Sequence, residues 1–223
     1  MSFRGAVRRA LAAPMGATLA QRFPAPHVTV LVGDAELRSH DEVALVEVAE
    51  ALTRVGLPRG RMMALLAGTQ PLDAARRERA RELHDILGMP VVLHDPIGGT
   101  SFAVATTGSG FTIQLDDELR EAEAVVVVGE FADDHARGVH GGPFALLPGL
   151  ASAETRDLWA NQMSTNGQGS RDARLLESAR EVLALVKVDL ALVWDESDPP
   201  EVRAGGGDLL ESLLVQGWGS AKR

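Results

Sequence analysis

The chain has 223 residues, a formal net charge of −9 and no cysteine. The acidic balance argues against nucleic acid as a main partner, because phosphate binding wants a basic face. The missing cysteine excludes disulfides, thiolate metal sites and cysteine nucleophiles, and no apolar run approaches the roughly 20 residues that span a bilayer.

Apolar residues make up 45% of the chain and aromatic ones 4%, with no tyrosine. Core volume must come from Val, Leu, Ala and Ile, which favours helices packed on a buried sheet. Residues 1–22 hold four arginines and no acid. A transit peptide has that composition, but Pro14 and Gly16 interrupt the pattern, and the reading adopted is a short amphipathic helix laid on the domain. The cytoplasm is the expected location.

From His27 strand-like and helix-like segments alternate. His27–Gly33 reads as a buried strand. Ser39 and Glu42 form a capping-box pair, followed by Val43, Val46, Ala49, Leu52 and Val55 at helical spacing, with Gly56 as the stop. Met62–Ala67 is a second short apolar run. Leu72–Leu87 reads as a helix with an apolar line through Ala75, Leu83 and Ile86, ended by Gly88. Pro90–Leu93 is a third strand. Phe102–Thr107 and Phe111–Leu115 flank Gly108-Ser109-Gly110 and predict a hairpin. Asp116–Ala122 is a short acidic helix, and Val125–Val128 a central parallel strand. A glycine-rich loop, Gly129–Gly149, precedes a helix over Ser152–Asn161.

Residues 161–170 are polar loop. Ser170 caps a helix whose stripe includes Leu175, Ala179, Val182 and Val186. Val188–Trp194 is the last predicted strand; 195–207 is loop, and Asp208–Val215 a helical turn or two. The sum is a single α/β domain: a mostly parallel sheet with flanking helices and a β-hairpin insert. The expected division is a helical arm over 1–25, the α/β domain over 26–197, and a C-terminal loop and short helix over 198–223.

Open parallel sheets bind ligands beyond the carboxyl ends of their strands. Three loops leave such ends: 33–38, 68–71 and 129–149. Asp34 and Arg38 form a candidate pair, its guanidinium able to fork onto a ligand carboxylate; the alternative is a cap or surface ion pair. Thr69 and Gln70 offer a hydroxyl and an amide that can orient a ligand. Gly141 and Gly142 let backbone N–H groups approach an anion. Asp133, Asp134, His135 and His140 concentrate titratable groups. Asp134, His135 and His140 are candidate acid/base or metal-binding residues, although the two histidines lack the four-residue spacing of a helical zinc pair. A solvated loop is the favoured reading there, and no metal site is assigned. His94-Asp95 is a further candidate, while His27, His40 and His84 read as structural or exposed. No G-x-S-x-G, Walker loop or H-E-x-x-H occurs, so serine nucleophile chemistry has no support.

The order of these pieces resembles the N-terminal domain of the nickel-pincer-nucleotide-dependent lactate racemase family. The likeness runs through residues 10–16 (ALAAPMG), 28–34 (VTVLVGD), 58–71 (PRGRMMALLAGTQP), 91–95 (VVLHD), 104–115 (VATTGSGFTIQL), 129–149 and 186–196 (VKVDLALVWDE). It implies an α/β domain sharing a cleft with a second domain. In that cleft a nickel-bearing pyridinium nucleotide is tethered by a lysine, two histidines act as alternating bases, and a further histidine ligates nickel. At those positions this chain reads differently. The first histidine falls on Gln70, the second on Asp134 with His135 one place off, the tethering lysine on Phe144, and the nickel ligand on Gln162 behind Asn161. The family's aspartate matches Asp34, and Arg38 is displaced by one.

The resemblance therefore implies a divergent family member. Its expected role is binding of a small anion or nucleotide, or an accessory function, without nickel-pincer racemisation by this chain alone and with no cofactor assigned. The alternatives are a racemase-like or epimerase-like isomerase of 2-hydroxy acids completed by a partner chain that supplies the second domain, or a metal-dependent enzyme using Asp134, His135 or His140. If the chain is an enzyme, the resemblance implies an isomerase of the racemase or epimerase class, and a homo-oligomer is compatible with the sequence.

Overall fold

The computed structural model describes residues 2–68, 71–106, 112–134, 138–140, 142–164, 179–195 and 197–220. Its centre is a six-stranded sheet in the order β10-β9-β6-β1-β2-β3. The strands are β1 (Thr29–Asp34), β2 (Met62–Ala67), β3 (Val91–Leu93), β6 (Ala124–Glu130), β9 (Val188–Trp194) and β10 (Val202–Gly205). All neighbours pair in parallel except β10, which runs antiparallel to β9. Two antiparallel hairpins stand apart: β4 (Ser101–Thr106) with β5 (Thr112–Asp116), and β7 (Ala132–Asp134) with β8 (Gly138–His140). The expected α/β class, mainly parallel sheet and hairpin insert are all present.

The strands are apolar on both faces because helices cover both sides. One face carries Leu31, Val126 and Leu192 against α1 (Phe3–Ala12), α2 (Leu19–Arg22), α3 (Ser39–Arg54) and α4 (Ala74–Leu87). The other carries Val30, Val32, Val127 and Val193 against the turn around Phe144–Ala151, the helical residues 179–185 (α6) and α7 (Gly207–Ser220). α5 (Ala153–Ser164) lies along the β4–β5 hairpin, where the Thr155 hydroxyl accepts the Gln114 N–H at 2.9 Å. No helix among the described residues is long and apolar enough to cross a membrane.

Several local readings shift. Arg38, not Ser39, is the N-cap of α3, and the Asp41 carboxylate reaches back to the Arg38 N–H at 2.8 Å. The S-x-x-E spacing is therefore one residue out of register with the cap that forms. The buried stripe of α3 is Ala44, Leu45, Val48 and Leu52, with Val43 and Val46 only half-buried. In α4 the buried line is Ala80, Leu83 and Leu87, and Ile86 faces out; Gly88 caps the helix in the left-handed region as expected. The acidic helix contracts to a 3₁₀ turn, Asp117–Leu119. β10 lies within the segment read as loop, and α7 runs longer than two turns. Leu175 and the cap at Ser170 lie outside the described residues; Ala179, Val182 and Val186 are buried together on one face of the sheet.

The arginine-rich start forms the amphipathic helix α1, whose Val7 and Leu11 are buried. Its Arg8 holds the Glu47 carboxylate through two hydrogen bonds, at 2.7 and 2.9 Å, and Arg4 lies 3.3 Å from the same group. Phe3 stacks on His40 and meets Trp194 edge-on. The exposed face of α1 is thus tied down by charge as well as by its apolar side.

Candidate functional site

Ignoring the hairpins, the parallel strands run β3-β2-β1-β6-β9 across the sheet. Strand order reverses between β1 and β6. After β1 the chain passes to α3 on one face; after β6 it passes to Phe131 and Phe144 on the other. The carboxyl ends of these two strands, where the connections diverge, are the usual ligand position in open α/β sheets and make the candidate crevice.

The three loops picked out by sequence meet at this end. The Ala35 N–H donates to the Ala67 carbonyl at 2.8 Å, and the Gly68 N–H to the Gly149 carbonyl at 3.0 Å. Gly142 has a φ of +50°, and a Cβ there would come 3.2 Å from a ring carbon of Phe131. Both the backbone conformation and the close approach favour glycine at that position.

Asp34 ends β1, and one of its carboxylate oxygens accepts the Glu36 N–H at 2.7 Å. The Arg38 guanidinium reaches across to Glu130, the last residue of β6, at 2.8 Å, and to Glu36 at 3.1 Å, with the Asp34 charge also acting on it. Burial opposes the charge on Arg38, but Glu36, Glu130 and Asp34 outweigh it and hold the guanidinium above its ordinary range.

Asp41 sits beneath this pair and is 4% exposed. Burial pushes its carboxyl up to about 7; the negative charge of Asp34 adds to the shift, the Arg38 N–H and guanidinium oppose it, and Glu130 adds again. A carboxyl held half-protonated near neutrality, beside a crevice, is the sort of group that functional sites collect. Sequence reasoning named neither Asp41 nor Glu130. Asp41 was hidden by the shifted capping box, and Glu130 lies 92 residues from Arg38.

Thr69, Gln70, His135 and Gly141 lie outside the described residues. Asp134 and His140 fall on the β7–β8 hairpin, where Asp134 is opposite Gly138 and His140 opposite Ala132. Among the described residues no group of three His, Asp or Glu side chains could hold a metal ion.

His94 is buried at the end of β3. Its Nδ1 lies 2.6 Å from an Asp116 carboxylate oxygen and its Nε2 lies 3.0 Å from the Ala151 carbonyl. With both nitrogens on acceptors, the ring ties β3, the end of β5 and the close of the glycine-rich loop together, a structural role. Phe144 is 4% exposed and packs in the core beneath that loop. Lys187 precedes β9 at the amino end of the sheet, 3.2 Å from Asp189 and exposed. The seven residues of β9 put it about 20 Å from the crevice.

No curated protein matches the chain. Among solved structures, it is similar to the lactate racemase apoprotein from Thermoanaerobacterium thermosaccharolyticum, with a TM-score of 0.71 at 16% identity. The match covers 97% of this chain and 56% of that one, so this chain spans little more than half the length of that relative. At that identity the likeness carries the fold alone. The sequence model of the lactate racemase N-terminal domain matches residues 2–167, about three-quarters of the chain, and the protein therefore belongs to the lactate racemase N-terminal domain family.

Proposed function

We propose that this chain is a divergent family member that binds a small anion or nucleotide in the β1/β6 crevice and does not carry out nickel-pincer racemisation alone. The observation that carries the reading is the Arg38 guanidinium, held at the carboxyl ends of β1 and β6. Asp34, Thr69, Gln70, Gly141 and Gly142 are its proposed companions, the glycines supplying backbone N–H groups to the anion.

The nickel nucleotide that the resemblance implies needs an anchoring amine at this cleft. Phe144 has none and is packed into the core; Lys187 sits at the opposite end of the sheet, beside Asp189. These residues do not fit a tethered group, and no catalytic step is derived through it. A second reading is a racemase-like isomerase of 2-hydroxy acids in which a partner chain supplies the other wall of the cleft; the chain aligns with 56% of the solved relative.

Calorimetric titration of the purified chain with sodium lactate and with inorganic phosphate, beside a lactate racemisation assay, tests the proposal. Binding that Arg38→Ala abolishes, without racemisation, is the expected result. Racemisation of lactate by this chain alone overturns it.

A further inference from the structure

Among the described residues, more negative than positive charge gathers at the ends of β1 and β6. Asp34, Glu36, Asp41 and Glu130 surround Arg38. The guanidinium that would take a ligand carboxylate already spans two internal ones, Glu130 at 2.8 Å and Glu36 at 3.1 Å. They are not equivalent. Glu36 is 58% exposed in the β1–α3 loop, whereas the Glu130 side chain is 21% exposed and anchored on the end of a central strand. A carboxylate fixed on a rigid strand loses less freedom on pairing than one on a loop, so it competes better for the guanidinium.

We propose that Glu130 is an internal competitor for Arg38: its carboxylate occupies the edge of the guanidinium that an anionic ligand would use, straps the β1/β6 crevice, and sets the affinity and charge selectivity of the site. The proposal rests on the anion-binding reading above. A monoanion that takes the Glu130 edge of the guanidinium must displace that carboxylate, and the other described acids keep the local charge negative when it does. Weak binding of simple anions follows. So does preference for ligands that bring a hydrogen-bond donor or a cationic group to meet the displaced carboxylate.

Titration of sodium lactate into the wild-type chain, Glu130→Gln, Arg38→Ala and the double variant, followed by NMR at fixed ionic strength, tests this. Glutamine keeps the shape and removes the charge. Lactate is expected to bind Glu130→Gln at least fivefold more tightly than wild type, a gain of about 1 kcal/mol, and the gain should vanish in the double variant. Glu130→Asp, with a shorter reach, should fall between, and it serves if Glu130→Gln does not fold. Equal lactate affinity in wild type, Glu130→Gln and Glu130→Asp, with loss in Arg38→Ala, overturns the competitor and leaves the anion site standing. Lactate binding unchanged by Arg38→Ala in either background, or absent from every variant, overturns the anion site itself.

Discussion

Helix α3 carries two buried acids with opposite surroundings. Glu47, 1% exposed, meets two arginines of α1. Asp41, 4% exposed, meets one backbone N–H and lies among other carboxylates. Both sit on one helix within two turns of each other, so local sequence does not distinguish them. What differs is what arrives from elsewhere: a basic helix in one case, the ends of β1 and β6 in the other. A balanced buried charge fastens one element to another. An unbalanced one costs stability and is tolerated where a site has use for it.

The two acids should therefore respond to mutation with opposite sign. Glu47→Ala is expected to lose about 3 kcal/mol in urea unfolding, because it removes the one buried partner of two cations and leaves a void under α1. The half-exposed arginines can rehydrate, which keeps the loss from being larger. Faster tryptic cleavage within 3–12 should accompany it. A variant as stable as wild type with α1 still protected would mean that the ion pairs contribute nothing to docking.

Asp41→Asn should do the reverse. The folded pKa of Asp41, about 7, lies above the ordinary value of 3.8. Between those values the folded state binds the proton more tightly, so stability falls as pH rises from about 4 to about 7, and the full cost persists above that range. Asparagine cannot ionise and can still accept the Arg38 N–H. The variant should come close to wild type near pH 4 and exceed it by at least about 2 kcal/mol at pH 8. Parallel stability curves for the two proteins across that range would remove the distinction drawn between Asp41 and Glu47.

Much of the fold could be read from local pattern, and the gaps share a cause. Val125–Val128, the Met62–Ala67 run and the Gly88 stop each announce themselves within a few residues. β10 does not: its four residues, VRAG, hold one arginine and one glycine, and only pairing with β9 makes them a strand. The site divides the same way. The strand-end loops carrying Asp34, Arg38 and Gly142 are visible in sequence because glycines and polar residues follow apolar runs. The Arg38–Glu130 contact is not, because it joins residues 92 positions apart. Charge balance in a core is a long-range property and leaves no local signature.

Asp116 is a third buried acid and sharpens the comparison from the balanced side. It has one strong partner, His94, and one backbone N–H, that of Glu118. His94→Phe would keep a ring in place and take away one of the carboxylate's two partners. A loss of about 1.5 kcal/mol is expected, less than for Glu47→Ala because one acceptor bond survives. Amide exchange should also quicken at Ser152–Thr155, where the loop closed by Ala151 enters α5. Unchanged exchange there would mean that the ring does not hold the loop.

Lys187 gives the smallest effect and the sharpest control. Its ammonium is 87% exposed and meets Asp189, whose other oxygen accepts the Val125 N–H at 3.2 Å. Asp189 thus has a structural contact with the start of β6 that does not depend on the lysine. Lys187→Ala should change stability by less than about 0.5 kcal/mol. It should also leave lactate binding unchanged, since the strand length keeps the amine from the crevice. A cation in a balanced, solvated pair can be removed almost freely, whereas Arg38, the cation among four carboxylates, cannot. If Lys187→Ala weakened lactate binding as much as Arg38→Ala, the ligand would sit at the amino end of the sheet, and the unbalanced cluster around Asp41 would have lost its reason to exist.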